Sequence, residues 1–107
     1  MKKKLKPRRP TDHNYVLKLF VSGATPRSQE AIRNLHAICA QYLPGRCELE
    51  VVDVYQSPHL ARQSGIIALP TLIRELPPPV RRLIGDLSKS EHVLAQLDLK
   101  PRKRMHG

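Results

Sequence analysis

Three consecutive prolines, Pro77-Pro78-Pro79, separate two short apolar runs at residues 71–76 and 80–84, and no other feature restricts the fold so tightly. Each run has the length of a buried strand. Proline cannot donate to a sheet ladder and holds φ near −65°, so the triplet must form the connection between the two strands. Pro70, at the head of the first run, is a candidate for a cis peptide bond; the rarity of that isomer leaves it trans on sequence alone.

The 107 residues suffice for one domain with a modest core. One Phe, three Tyr and no Trp mean that Leu, Ile and Val must build that core. No apolar run approaches the ~18 residues of a membrane span. The basic start from Met1 to Arg9 mimics a signal peptide, but Asp12-His13-Asn14 and Lys18 interrupt the apolar stretch behind it, so a cytoplasmic location is expected.

The net charge of +10 suggests nucleic acid until it is located. Residues 1–11 hold six bases and 100–107 hold four, with no acid in either, which leaves 12–99 neutral with nine of each sign. Two disordered basic tails around a single domain at 12–99 are expected. Such tails bind polyanions weakly, with strong salt dependence and no reading of sequence. Cys39 and Cys47 are eight apart, neither C-x-x-C nor a zinc spacing, and Cys39 is expected as a buried, inert thiol on a helix face. His13, His36, His59, His92 and His106 are dispersed, so neither a metal nor a cofactor is expected.

Along the chain, residues 15–22 read as a strand apolar on both faces, hence a central one. Thr25-Pro26 supplies an N-cap and a first-turn proline for a helix whose stripe is Ile32, Leu35, Ile38, Cys39 and Tyr42. Pro44-Gly45 stops it, and residues 47–54 form a second strand, parallel to the first. Glu48, Glu50 and Asp53 look like a solvated edge. Ser57-Pro58 opens a short helix to about Ser64, and Ser88 with Glu91 reads as a capping box for a last helix containing Val93, Leu94 and Leu97. The order βαβαββα is that of a thioredoxin-like α/β fold, and Pro70 stands where that fold keeps a cis-proline.

A thioredoxin-like enzyme carries its dithiol between the first strand and first helix, where the helix N-terminus lowers a thiol pKa. Here that loop reads Ser22-Gly23-Ala24-Thr25-Pro26-Arg27-Ser28, without cysteine. Ser22, Thr25 and Ser28 have no histidine beside them in sequence, and nothing argues that His36 or His59 approaches. There is no Gly-rich phosphate loop either, so no catalytic residue is assigned.

The segments 15–26, Val52-Asp53-Val54 and Pro70-Thr71-Leu72 resemble the KaiB family of circadian-clock proteins. So, above all, does Leu76-Pro-Pro-Pro-Val-Arg-Arg-Leu-Ile-Gly-Asp-Leu-Ser88, followed by Leu97-Asp-Leu99. The similarity runs in register over about residues 14–99. It implies a binding protein without catalysis, one that docks on the N-terminal ATPase ring of a KaiC-like hexamer, sequesters KaiA and displaces the kinase SasA. It also implies a fold switch confined to the second half of the chain. In the tetrameric ground state the C-terminal segment is a strand; in the monomeric thioredoxin-like state it is a helix, and that state binds KaiC. The alternative function is a thioredoxin-like interaction module for a partner outside the clock, or for a sensor kinase.

Gln96 stands where clock relatives carry glycine, and Gln is better in a helix by roughly 0.5–1 kcal/mol. With the capping box and Lys100 near the helix end, this favours the monomeric thioredoxin-like state over the tetrameric one. The fold-switch residues are then Pro70, Pro77, Pro78, Pro79, Gln96 and Asp98; the alternative for the prolines is that they are rigid turns only. The docking face is expected at Ala24, Thr25 and Pro26 with Gly65, Ile66 and Leu69; these loops alternatively do no more than close the fold. Residues 60–65 are neutral to basic where clock relatives carry acids and a lysine, which implies a different partner surface. Arg81 and Arg82 are expected on opposite faces of a strand, one in solvent and one against a carboxylate such as Asp86.

Overall fold

The computed structural model describes residues 14–99, so both basic tails and Lys100 lie outside the described residues. The elements run β1 (Tyr15–Val21), α1 (Pro26–Tyr42), β2 (Cys47–Asp53), α2 (Pro58–Gln63), β3 (Thr71–Leu76), β4 (Arg81–Ile84) and α3 (Ser90–Gln96). They form a sheet of order β2-β1-β3-β4, in which β1 pairs parallel with β2 and antiparallel with β3. The acidic strand β2 is an edge, and β1 is internal, as its two-sided apolar pattern requires.

The two faces of the sheet are covered unequally. Tyr15, Leu17, Leu19 and Val21 point to the larger cluster, where α1 contributes Ala31, Leu35 and Ile38 and α3 contributes Val93 and Leu94. Phe20 points the other way and joins Val52 and Ile73 in a small second cluster. Leu60, Ala61, Ile66 and Leu69 pack on it from outside, and α2 itself buries no residue.

Local chemistry sets most boundaries. Thr25 caps α1 by accepting from the Ser28 backbone N–H at 3.3 Å, with Pro26 in the first turn. Gly45, at φ +71°, lets the chain reverse into β2 at no Cβ cost. The prolines turn β3 into β4, and the bonds Leu69–Pro70, Leu76–Pro77 and Pro78–Pro79 are all cis.

Two expectations are corrected. The capping box does not form: α3 starts at Ser90, its cap position is Lys89 without a side-chain bond, and the Ser88 N–H donates to Asp86 Oδ1 at 3.1 Å. The Asx turn claims Ser88 before it can serve the helix. Asp86 likewise pairs with neither arginine of β4. Arg82 donates to the carbonyls of Ser64 and Gly65, and Arg81 Nε is buried without a hydrogen-bond partner.

Candidate functional site

Register places the candidate loops together. Phe20 at the end of β1 opposes Thr71 at the start of β3, so the turn after β1 and the segment before Pro70 emerge at the same end of the sheet. Val54 joins them through a bond from its N–H to the Val21 carbonyl at 3.0 Å, and Gly85 through its N–H to the Pro70 carbonyl at 2.9 Å.

In the first loop, hydroxyls occupy the ground a thioredoxin gives to its dithiol. Ser28 is fully buried; its Oγ accepts from the Ser22 N–H at 3.0 Å and from Thr25 Oγ1 at 2.9 Å. Ser22 Oγ lies 3.3 Å from Thr25 Oγ1. These groups are consumed in capping α1 and bracing the turn. His36 and His59 are both exposed on their helices.

Of the six expected docking residues, Ala24, Thr25, Pro26 and Gly65 are exposed, while Ile66 and Leu69 are half-buried against the Phe20 cluster. Two large side chains at the same end escaped the sequence reading. Ile67 is 92% exposed and Tyr55 is 76% exposed. Ile67 borders a concavity of about 290 Å³ lined also by Val54, Ala61, Ile66, Ala68 and Leu69. Tyr55 lies against Gly23, whose φ of +60° forms the turn. The signals were available: an aromatic immediately after an edge strand, and two consecutive isoleucines of which a half-buried loop can cover only one.

Of the six residues expected to take part in a fold switch, Pro79 and Asp98 are joined by a residue the sequence reading did not single out. Arg74, in the middle of β3, is fully buried and reaches both the β3–β4 turn and the segment after α3. Its Nη1 donates to Asp98 Oδ2 at 2.8 Å and its Nη2 to the Pro79 carbonyl at 2.9 Å. Asp98 adopts φ +62°, a left-handed conformation Asp tolerates better than most residues, just beyond the α3 cap residue Leu97. The hydrogen bond from Arg74 holds the Asp98 carboxyl below its usual pKa, with the charges of Arg74 and Arg81 adding to the effect. Pro70 is buried, Pro77 half-buried, Pro78 and Pro79 exposed; Gln96 is half-buried at the last turn of α3. On the same face of the sheet, the Tyr15 hydroxyl donates to the Leu97 carbonyl at 2.9 Å.

The cysteines also depart from expectation. Cys39 is half-buried at the end of α1, and its Sγ lies 3.0 Å from that of Cys47 at the start of β2. A crossover helix returning to a parallel strand brings together two thiols that the eight-residue spacing kept apart on paper. No described helix is long and apolar enough to cross a membrane.

Fold and end face together define a thioredoxin-like α/β protein with hydroxyls in place of the redox loop's cysteines. Chloroplastic thioredoxin z superposes with a TM-score of 0.65 at 20% identity, over 80% of either chain. The N-terminal domain of SasA from Synechococcus elongatus superposes with a TM-score of 0.67 at 21% identity, over 94% of this chain and 98% of that domain. The KaiB domain model matches residues 18–99, and the chain belongs to the KaiB family. The circadian clock oscillator protein KaiB of Prochlorococcus marinus is 52% identical over 79% of this chain and 75% of its own.

Proposed function

We propose that this chain is a non-catalytic regulator of the circadian-clock type, with residues 12–99 as its folded domain. In its thioredoxin-like, monomeric state that domain docks on the N-terminal ATPase ring of a KaiC-like hexamer. There it competes with or recruits further partners of the KaiA or SasA-kinase type. The observation carrying this reading is the end face itself. It carries the exposed Ala24, Thr25 and Pro26, and it leaves Tyr55 uncovered, as it does Ile67 at the border of an apolar concavity. Exposed large apolar side chains rimmed by polar loops mark interaction sites. The likeness to the SasA domain supports a surface for which two such domains compete. The basic tails add weak, salt-sensitive polyanion binding.

The test is size-exclusion chromatography with light scattering on the full chain, alone and with a KaiC-type hexamer and ATP at moderate salt. A monomer that co-elutes with the ring is expected, and Ile67→Asp should abolish co-elution without altering circular dichroism. A tetramer that binds only slowly would reverse the choice of state. Unchanged binding by Ile67→Asp would remove the face.

A further inference from the structure

The thiol pair lies far from the end face in the topology. Cys47 is paired with Tyr15 at the opening of β1, whereas the cysteine-free loop follows the close of that strand. The backbone between the two cysteines is already fixed in the geometry that joins them. The Leu43 N–H donates to the Cys39 carbonyl at 2.9 Å and the Arg46 N–H to the Leu43 carbonyl at 3.0 Å, with Gly45 left-handed between them. The sulfurs must close from 3.0 Å to a bond length of about 2.05 Å. Both residues are only half-buried, so a small reagent has access.

We propose that Cys39 and Cys47 form a reversible redox site that closes to an intramolecular disulfide by exchange with a low-molecular-weight disulfide of the glutathione type. This reaction is separate from the docking reading and does not depend on it.

The two thiols are not equivalent. The hydrogen bond from Cys39 lowers the Cys47 pKa, against opposing contributions from burial and from Glu48. The same bond, together with burial, raises that of Cys39. Cys47 is therefore the attacking thiolate. It bonds to one sulfur of the small disulfide and expels the other as a thiolate, which takes up a proton. Cys39 then loses its proton and attacks the Cys47 sulfur of the mixed disulfide. The second small thiol leaves and is protonated in turn. Two protein thiols are oxidised, and one small disulfide is reduced to two thiols.

The test treats the reduced full chain with excess oxidised glutathione, quenches with iodoacetamide and reads intact mass and peptide maps. Both alkylatable thiols should disappear together, giving a monomer lighter by two hydrogen atoms and one linked peptide containing Cys39 and Cys47. Dithiothreitol should restore both, and the oxidised chain should unfold at higher urea than the reduced one. Cys39→Ser should accumulate a glutathione adduct on Cys47, and neither single variant should give the internal link. Adducts on the wild-type chain without an internal link would overturn the proposal. So would links between chains, or two unreactive thiols.

Discussion

Removing one oxygen atom from Tyr15 probes how the end of α3 is held. Tyr15 is 5% exposed, and its hydroxyl bridges 82 positions of sequence to the Leu97 carbonyl, in a residue that is itself fully buried. That carbonyl is among those a helix end leaves without an internal partner. Tyr15→Phe keeps the ring and its packing while orphaning the acceptor. A net hydrogen bond is worth about 1 kcal/mol, and a buried carbonyl left unpaired raises the loss to about 1–3 kcal/mol. With a urea m-value of about 1–1.5 kcal/mol/M for a small domain, the midpoint should fall by about 1 M or more at unchanged m. Amide exchange across α3 should accelerate by about tenfold, the equivalent of 1.4 kcal/mol, with β1 and β3 less affected. Burial also raises the Tyr15 pKa above its ordinary 10.0. The wild-type stabilisation is therefore complete below pH 10 and lost as pH climbs through the higher folded value, a loss the Phe variant should not show. A midpoint within ~0.2 M of wild type, or unaltered exchange in α3, would refute the reasoning.

Asp98 titrates in the opposite sense. Its folded pKa is depressed, so its contribution is present above the unfolded value of 3.8 and lost as pH falls through the lower folded one; acid unfolding followed by circular dichroism should be flatter below pH 4 for Asp98→Asn than for wild type. Gly85→Ala should destabilise by about 1–3 kcal/mol in urea melts, because φ is +120° there, a conformation that strains any side chain even though the new Cβ would meet Arg27 Nη2 only at ordinary contact distance. Ser28→Ala should lower the melting temperature, because a fully buried hydroxyl that accepts from both the Ser22 backbone and Thr25 is lost. Ile67→Asp should leave urea stability within about 0.5 kcal/mol of wild type, since the side chain is 92% exposed. Leu69→Asp should not, because Leu69 packs on the Phe20 cluster, which makes it a poor probe of docking alone.

The order of elements was legible because each carried its own punctuation. Thr25-Pro26 and Pro44-Gly45 bracket α1, and the proline triplet can only be a turn. What stayed hidden was set by long-range pairing. Arg74 reads in sequence as a polar interruption of an apolar strand; only the approach of the 77–79 turn and of Asp98 makes its burial tolerable. Ser88-x-x-Glu91 carries a real capping signature, but a competing bond to Asp86 lies two residues upstream, and nothing local ranks the two. The cysteine pair failed for the same reason. Spacing rules describe ligands on one turn or one hairpin, whereas these thiols meet across a helix-to-strand reversal.

The unequal covering of the sheet has a consequence for any partner of the end face. Ile66, Ile67 and Leu69 belong to the layer around α2, whose six residues include no buried side chain and rest on a cluster of only three buried ones. That layer is the cheapest part of the domain to detach, so it samples open forms while β1 and α1 stay closed. A partner gripping it must first select the closed fraction, and measured affinity falls in proportion to that fraction. Substitutions that tighten α2 on Phe20 and Val52 would then strengthen binding without touching the partner. The rigidity of this thin layer, as much as the chemistry of its surface, sets how tightly the protein can be held.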